Sequence, residues 1–371
     1  MEPMRVWVIL GGLSAEREVA AESGRAVAEA LRAKGHLVVA YELADGRFLP
    51  EWSSEDLVRE LRELRELHDL HDLRELQDLR EIEMGEAVAQ DDGASANPSD
   101  GPTWAERLLR TGRRIRERID VAFLALHGGG GEDGTVQTLL ETVGVSYTGS
   151  GPTASAIAMD KILTKRLMLA LEIPTPRWLT MAPPGAGEPV LGLPWELPLV
   201  VKPVAEGSSV GVSIVRAAEE WERALREASH VEAPSRGQNR DLMVEEYIPG
   251  RELTVGILGH RALPVLEIVP KTGFYDYGNK YTAGASEYRV PADIPVHLAE
   301  SLASQAERLY EALGCRGMAR VDFRLSPSEE VYCLELNTIP GLTSTSLVPK
   351  AAAATGIDFG SLLERVCRDS R

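Results

Sequence analysis

Between Arg320 and Asn337 the chain reads RVDFRL, SPSEE and VYCLELN: two arms of alternating polar and apolar residues around a segment of turn-forming residues. Alternation with a period of two predicts strands, and the segment between them predicts that the strands form a β-hairpin. Strand side chains point alternately to opposite faces, so the polar residues of the two arms share a face. Those residues are Arg320, Asp322 and Arg324 in the first arm and Cys333, Glu335 and Asn337 in the second.

Asp322 lies opposite Glu335 in this hairpin when the turn is centred near Ser328. Facing carboxylates repel each other, so the pair predicts a positive group between them. Together with Asn337 they offer hard oxygen ligands of the kind that Mg²⁺ takes. The alternative is a polar face on which the acids pair with arginines of the same hairpin. The polar loop 337–346, with its Pro and Gly, lies where a ligand could bind and favours the metal site.

Length and composition indicate a protein of two or three domains. The chain has 371 residues, and its hydrophobic fraction of 44% is ordinary for a soluble protein. The apolar run Val6–Leu10 is too short for a signal segment or a membrane span. Three scattered cysteines without Cys-x-x-Cys spacing argue against a disulfide framework or a zinc site, and they favour a cytoplasmic location.

The net charge of −17 argues against nucleic-acid binding, and most of it is local. Residues 51–100 hold 16 Asp and Glu and 5 Arg, a net charge of −11. Within 57–82 leucine recurs every third residue, so the leucines wind around a helix and do not form a coiled-coil face. The pattern is typical of a solvated, partly helical arm, with a protein-docking arm as the alternative. Residues 91–102 have the composition of a flexible linker.

The first 41 residues predict a βαβ unit. An apolar strand at 5–10 leads through Gly11-Gly12 to a helix from about 15 to 34, with Ser14 as its N-cap, and then to a strand at 37–41. Sheets of this kind bind ligands at the carboxyl ends of their strands. Glu16 is therefore a candidate ligand-binding residue; the alternative is an acid that stabilises the helix N-terminus.

Two further segments combine a strand with residues that suit a ligand. The apolar strand 121–126 ends at His127 in the string HGGGGEDG, whose glycines allow close approach of backbone to a ligand and whose Glu-Asp is expected to begin a helix. A strand ending at Lys202 precedes the small-residue loop 206–212, whose backbone N–H groups suit phosphate. A structural histidine and a generic hairpin loop are the respective alternatives.

The remaining candidate segments are a strand end, a helix start and an aromatic loop. The strand 242–248 carries two acids and ends at Pro-Gly, and Lys161 follows Met-Asp at a helix start, where its charge opposes the helix dipole. The segment 273–281 holds three Tyr and one Phe flanked by glycines, a composition that fits a lid over a ligand; a packed surface loop is the alternative.

In this order, these strings resemble the motifs of ATP-grasp ligases and, more narrowly, of D-alanine–D-alanine ligases. GGLSAEREV at 11–19 resembles the family's opening motif, and HGGGGEDG at 127–134 its His-Gly-x-x-Gly-Glu-Asp-Gly motif. GMARVD at 317–322, LELNT at 334–338 and PGLT at 340–343 resemble its C-terminal end. The resemblance covers about 310 residues and skips 46–103.

The resemblance implies an α/β (α+β) chain with the three-domain ATP-grasp architecture. Residues 1–150 are expected to form an N-terminal Rossmann-like βαβ domain that binds substrate. It would carry the low-complexity charged insert 46–103, helical or disordered. Residues 151–245 would form the central ATP-grasp domain, and residues 246–371 the C-terminal catalytic domain.

The resemblance also implies roles for individual residues. Glu16 would hold the amine of the first D-alanine, His127 would lie beside its carboxylate, and Ser346 and Leu347 would bind the second D-alanine. The residues expected to bind ATP are Lys161, Lys202, Glu206, Ser208, Ser209, Glu245, Glu246, Ile248, Glu252 and Lys280. The residues expected to act in catalysis are Glu16, Ser208, Tyr281, Arg320 and the backbone of Gly341. Two Mg²⁺ ions, with Mn²⁺ as a substitute, would be held by Asp322, Glu335 and Asn337.

The implied reaction joins two D-alanines through a D-alanyl phosphate, with consumption of ATP, to give D-alanyl-D-alanine for peptidoglycan. A cytoplasmic homodimer is expected, with D-alanine and ATP as partners, without nucleic-acid or membrane partners, and with 57–82 as a candidate protein contact. Tyr281 stands where the family keeps tyrosine, which disfavours D-lactate as acceptor but leaves D-serine open. An ATP-binding scaffold without catalysis is the alternative from another class.

Overall fold

The computed structural model describes residues 2–12, 14, 16–57, 103–184, 192–205, 207, 210–230, 241–271 and 286–370. The described helices, in chain order, are α1 (Arg17–Ala33), α2 (Trp104–Ile115), α3 (Thr135–Val143), α4 (Pro152–Met159), α5 (Lys161–Ala170), α6 (Trp221–Ser229), α7 (Val296–Leu313), α8 (Leu347–Ala353) and α9 (Phe359–Arg368).

The described strands, in chain order, are β1 (Arg5–Gly11), β2 (Leu37–Glu42), β3 (Arg47–Leu49), β4 (Val121–Leu126), β5 (Trp178–Met181), β6 (Leu199–Pro203), β7 (Ser213–Val215), β8 (Leu242–Glu246), β9 (Arg251–Leu258), β10 (Arg261–Ala262), β11 (Leu266–Pro270), β12 (Ser286–Arg289), β13 (Met318–Leu325) and β14 (Val331–Asn337).

The first sheet has the order β3–β2–β1–β4 and contains the predicted βαβ unit. Strand β1 pairs in parallel with both β2 and β4, while β3 is antiparallel to β2. Helix α1 joins β1 to β2 and buries its apolar stripe against the sheet. Gly11 at the end of β1 pairs with Leu126 at the end of β4, so the two glycine-rich segments begin side by side. This is the edge at which open α/β sheets bind ligands.

The second sheet has the order β5–β8–β6–β7, with antiparallel pairing throughout. Helix α6 covers it through Trp221 and Leu225, which pack on the buried apolar residues of β6 and β8. The third sheet has the order β12–β11–β9–β13–β14, with β10 paired to β9, and it is covered by α7. Helices on parallel and antiparallel sheets agree with the predicted α/β (α+β) fold class.

The two C-terminal helices tie the third sheet to the first. Val348 and Ala351 of α8, with Leu362 and Val366 of α9, belong to the same buried cluster as Val8 of β1. The chain therefore returns from β14 directly across the N-terminal sheet. That return brings the loop 337–346 to the carboxyl end of β1 and β4.

The predicted hairpin is confirmed, and its register pairs Asp322 with Glu335 as expected. The prediction that Cys333 shares a face with Glu335 is wrong. A bulge follows the Asp322–Glu335 pair, so that Cys333 pairs with Phe323, and both side chains are fully buried in the core of the third sheet. A bulge sets two residues of one strand against one of the other, which returns the alternation to the opposite face.

Several predicted helix ends move in the structure. Ser14 is not the N-cap of α1; Glu16 occupies that position without a side-chain cap, while the Ser14 hydroxyl donates to the backbone oxygen of His127 at 2.5 Å. The helix expected to begin at Glu132 begins at Thr135, after a short 3-10 turn over the glycines. Within the described residues, no helix is both long and apolar enough to cross a membrane.

The start of the predicted insert, 46–103, is part of the first sheet. Strand β3 pairs with β2, the Ser53 hydroxyl donates to Leu49 O at 2.7 Å and accepts from Ala40 N at 3.1 Å, and Leu57 is fully buried. These contacts require the low-complexity segment to begin after residue 57. Residues 58–102, including almost all of the proposed arm 57–82, lie outside the described part of the chain.

Candidate active site

Glu16, His127 and Glu132 meet at the carboxyl edge of the first sheet, and each is nearly buried. Gly128 makes this possible. A Cβ built on it would lie 2.9 Å from Oε2 of Glu16, and its φ of +67° is one that glycine adopts most easily. The Gly128 N–H donates to Oε2 of Glu132 at 2.6 Å. The glycine thus lets two carboxylates approach one stretch of backbone.

His127 links this cluster to the loop after β14. Its Nε2 lies 3.2 Å from the hydroxyl of Ser23 on α1, and its side chain hydrogen-bonds to the backbone of Ile339. Burial lowers the pKa of His127, an effect only partly opposed by the negative charge of Glu16. The imidazole is therefore held neutral, with its orientation fixed from both the N-terminal and the C-terminal parts of the chain.

The carboxyl of Glu132 has a pKa raised to about 8, first because it is buried and second because of the charge of Glu16. The Gly128 hydrogen bond opposes this shift but does not cancel it. Near neutral pH one of two neighbouring acids therefore carries a proton, which relieves their repulsion. Gly207 belongs to the same neighbourhood, because a Cβ built on it would lie 3.6 Å from Oε2 of Glu16.

On the hairpin, Asp322 is held from two sides. Arg320 donates from Nε to Oδ1 and from Nη2 to Oδ2, both at 2.9 Å, and Thr254 on β9 donates to Oδ1 at 2.7 Å. The alternative of an acid–arginine pair is thus realised for Asp322. Glu335 instead has Lys161 Nζ at 3.6 Å from its Oε2. Positive charge offsets the expected repulsion on the hairpin face.

The donor set of this face fits a hard divalent cation. Asp322 and Glu335 face each other across the strands, and the side-chain oxygen of Asn337 accepts the N–H of Ile339 at 2.8 Å, which fixes its direction. Carboxylate and amide oxygens suit Mg²⁺ completed by phosphate oxygens. The described residues contain no cluster of three or more His, Cys, Asp or Glu for a metal, so such an ion depends on Asn337 and on a bound phosphate.

Two predicted ATP residues, Lys202 and Glu245, form a buried ion pair of 2.5 Å. A second lysine, Lys165, lies 2.6 Å from the other oxygen of Glu245. Burial alone would raise the pKa of Glu245, but the two ammonium groups outweigh it and lower that pKa. Glu245 is 2% exposed, so in this structure its side chain contacts the two lysines and not solvent.

The segment from Glu246 to Glu252, called the hinge below, holds three of the predicted ATP residues and is braced by Arg324. Its guanidinium donates to Ile248 O at 3.1 Å and to Gly250 O at 2.9 Å, and it lies 3.4 Å from Glu252. Glu246 is exposed at the end of β8 and Ile248 is buried. The hinge backbone is therefore fixed to β13, the strand that carries Asp322.

Gly341, Ser346 and Leu347 lie together at the start of α8. Ser346 is the N-cap of that helix, its hydroxyl accepts from Thr343 N at 3.1 Å, and a Cβ on Gly341 would lie 3.2 Å from it. Leu347 packs on buried residues of β11. The predicted residues for the second substrate thus border the loop that reaches His127 through Ile339.

Hydrogen bonds and ion pairs therefore connect most of the predicted site residues through their neighbours. The exceptions, Glu206, Ser208, Ser209, Lys280 and Tyr281, lie outside the described residues. Sequence reasoning missed Lys165, Thr254 and the hinge-bracing role of Arg324. A signal existed for Lys165, which follows Lys161 by one helical turn and so shares its face. None existed for Thr254, whose register with β13 is a tertiary property.

Comparison with known proteins identifies the family. Family models of the D-ala D-ala ligase N-terminus and C-terminus match residues 5–150 and 171–368. The D-alanine–D-alanine ligase of Syntrophotalea carbinolica is 40% identical over 99% of this chain and 96% of its own length. That of an Anaeromyxobacter species is 39% identical over 98% of this chain and 95% of its own.

Solved structures agree with the sequence matches. D-alanine–D-alanine ligase from Bacillus anthracis, complexed with ATP, superposes with a TM-score of 0.67 at 27% identity, covering 99% of this chain and 97% of its own. The enzyme from Coxiella burnetii gives a TM-score of 0.69 at 26% identity, covering 100% of this chain and 94% of its own. By sequence over its full length and by fold, this chain belongs to the D-alanine–D-alanine ligase family.

Proposed function

We propose that the site built from the two glycine-rich segments and the hairpin joins two D-alanines, with conversion of ATP to ADP and phosphate. The observation that carries the proposal is the link from His127 to the Ile339 backbone and from Ile339 N to Asn337. It supports the proposal that the residues for the first substrate lie beside the residues for phosphate. A reaction between a carboxylate and a phosphoryl group needs both within one cleft.

In the first step, a carboxylate oxygen of the first D-alanine attacks the γ-phosphorus of ATP and ADP leaves. Glu16 holds the substrate amine, and Lys161 and Lys202 offset the charge on the phosphates. Asp322, Glu335 and Asn337 would hold Mg²⁺, which when bound neutralises charge on the phosphate oxygens. The neutral His127, whose orientation Ser23 and Ile339 fix, can lie beside the substrate carboxylate without forming an ion pair.

In the second step, the amine of the second D-alanine attacks the carbonyl of the acyl phosphate. The tetrahedral oxyanion forms near Arg320 and the Gly341 N–H, then collapses with loss of phosphate, while the amine gives up a proton. Ser346 and Leu347 hold the second substrate at the start of α8. Water must be excluded, since it hydrolyses an acyl phosphate; the segment 273–281 is proposed for that task.

The acceptor is proposed to be D-alanine on the strength of Tyr281, with D-serine as the rival acceptor. The test is phosphate release with ATP and Mg²⁺, first with D-alanine alone and then with limiting D-alanine plus excess D-serine or D-lactate, with products resolved by mass. Release with D-alanine alone and a D-alanyl-D-alanine product supports the proposal. A mixed product in preference to it would assign another acceptor, and ATP binding without turnover would favour a scaffold.

Location and assembly belong to the same proposal. A ligase that makes a peptidoglycan precursor from ATP and free D-alanine works where both are present, which supports the cytoplasm. A homodimer and a protein contact through 57–82 stay predictions, and light scattering of the purified protein measures the first of these.

A further inference from the structure

Lys165 is a buried lysine to which the proposed mechanism gives no task. It lies on α5 one turn after Lys161, and its side chain is fully buried, with 0% exposure. Burying an ammonium group is costly, and an apolar side chain of similar length would fill the same space at lower cost. Packing alone therefore does not account for a lysine at this position.

Three oxygens surround the ammonium of Lys165. Nζ lies 2.6 Å from Oε1 of Glu245, donates to the hydroxyl of Thr175 at 2.6 Å, and donates to Pro176 O at 3.1 Å. Burial lowers the pKa of Lys165, and the Glu245 charge opposes that shift. These three contacts match the three N–H donors of the ammonium, so any effect on ATP must pass through a neighbour.

That neighbour is Glu245, which lies between two lysines. Its Oε1 faces Lys165 and its Oε2 lies 2.5 Å from Lys202. One carboxylate can neutralise one ammonium, so the group of three carries a net positive charge. Lys165 is the more deeply buried of the two lysines and Lys202 is 7% exposed, so the excess charge lies on the side of Lys202.

The same lysine joins the two sheets that border the ATP site. Glu245 is on β8 of the second sheet, while Thr175 donates to the backbone oxygen of Cys333 on β14 at 2.8 Å. Cys333 N donates in turn to Pro174 O at 2.7 Å. The ammonium thus fixes Glu245 relative to the strand that carries Glu335.

We propose that Lys165 is a positioning residue that neutralises Glu245 and so keeps the charge of Lys202 available to the phosphates of ATP. Without Lys165, the charges of Glu245 and Lys202 cancel, and the pair no longer attracts the phosphates of ATP. The inference rests on the proposed function in one respect, the contact between Lys202 and phosphate.

The test measures dissociation constants for ATP and for adenosine by equilibrium dialysis with Mg²⁺, on the full chain. Lys165→Met is expected to weaken ATP binding about tenfold, the loss of roughly one charge contact, and adenosine binding by less than about twofold. Lys34→Met is the matched control, since Lys34 pairs with Asp358 at an exposed site, and it should change neither constant. An equal loss for ATP and adenosine would mean a distorted pocket and would overturn the proposal.

A second pair of variants tests whether Lys165 acts through Glu245, and it applies even if Lys165→Met alone does not fold. Once Glu245→Gln has removed the carboxylate charge, adding Lys165→Met should change ATP binding by less than about twofold, because the coupling is gone. A further loss of about fivefold or more in that background contradicts the proposal.

The result also separates this inference from the proposed reaction. If wild-type protein binds ATP but forms no dipeptide, the reaction is wrong, and the binding comparison still decides the role of Lys165. If wild-type protein forms dipeptide and Lys165→Met binds ATP as tightly as wild type, only the inference about Lys165 is overturned. Failure of wild-type protein to bind ATP would overturn both.

Discussion

Arg320 is the partner of Asp322 in the structure and is proposed to stabilise the oxyanion in the reaction. Its guanidinium makes a forked contact with Asp322, and its side chain is 13% exposed, so it is partly open to solvent and does not belong to the core. In the proposed reaction it stabilises the oxyanion of the second step, and Asp322 would hold the metal. Glu335, across the hairpin, is paired with Lys161 and would likewise hold the metal.

Arg320→Ala and Glu335→Gln should each lower the rate of phosphate release by about two to three orders of magnitude, because each removes a charge placed for the transition state. The protein should stay folded, which circular dichroism can check. Glu329→Gln in the exposed turn of the same hairpin is the control and should turn over as wild type does. Wild-type rates in both site variants would remove the hairpin from the active site.

Glu132 makes the stability of the protein depend on pH in a defined direction. Its pKa in the folded state, about 8, lies above the ordinary value of 4.5, mainly through burial. The folded state therefore keeps a proton that the unfolded state releases. The stability that this proton contributes is complete at low pH and falls as the pH rises through about 8.

Glu132→Gln should be stabilised relative to wild type far more at about pH 8.5 than at about pH 5.5, because the amide avoids a buried charge. The melting temperature at both pH values measures this, and the difference between the two proteins should change by a few degrees or more. The same replacement at the exposed Glu51 is the control. A difference that does not depend on pH would mean that Glu132 has an ordinary pKa.

At the scale of elements, α1 can lie close to β1 because residue 24 is a glycine and has no side chain. A Cβ at Gly24 would lie 2.3 Å from Cβ of Leu10, which is fully buried in β1. The same helix carries Ser23 against His127, so its distance from the sheet also sets the site. Helix propensity alone would favour alanine at position 24 by roughly 1 kcal/mol.

Packing should outweigh propensity, so Gly24→Ala is expected to lower the free energy of unfolding by about 2 kcal/mol. Gly192→Ala is the matched control, since a Cβ there would meet no atom within 4 Å, and it should change stability by less than about 0.5 kcal/mol. Urea denaturation measures both. A stabilised Gly24→Ala would show that α1 does not pack as closely as the structure has it.

The elements also show what sequence can and cannot predict. The alternating arms of the hairpin gave both strands and the Asp322–Glu335 register, because the period of a strand is a local property. No feature of the local sequence predicts the bulge that turns Cys333 into the core. The burial of Leu57 was also missed, since it depends on the first sheet. Family motifs predicted the site residues, but not the buried contacts of Lys165 and Thr254.

For the whole molecule, the return of the chain after β14 brings the first and third sheets together at the candidate site. Helices α8 and α9 pack on the core of the first sheet, and the loop before them reaches His127. None of the family motifs falls within the low-complexity segment after Leu57, so the proposed activity is expected not to depend on it.

Replacing residues 58–102 with a short Gly/Ser linker should leave the rate of phosphate release within about threefold of wild type and the melting temperature within a few degrees. A deletion that begins at Ser53 should destabilise the protein, because it removes the Ser53 hydrogen bonds and the buried Leu57. If the first variant folds but loses activity, the segment is part of the catalytic machinery.

In the proposed reaction, the site activates a carboxylate by phosphoryl transfer and then forms a peptide bond. The most direct test supplies D-alanine labelled with oxygen-18 in its carboxylate, together with ATP and Mg²⁺, and follows the products by mass spectrometry. Each phosphate released should carry one labelled oxygen from the first D-alanine, and the dipeptide should have lost that one atom. Unlabelled phosphate, released with or without dipeptide, would contradict an acyl phosphate intermediate and with it the mechanism proposed for this site.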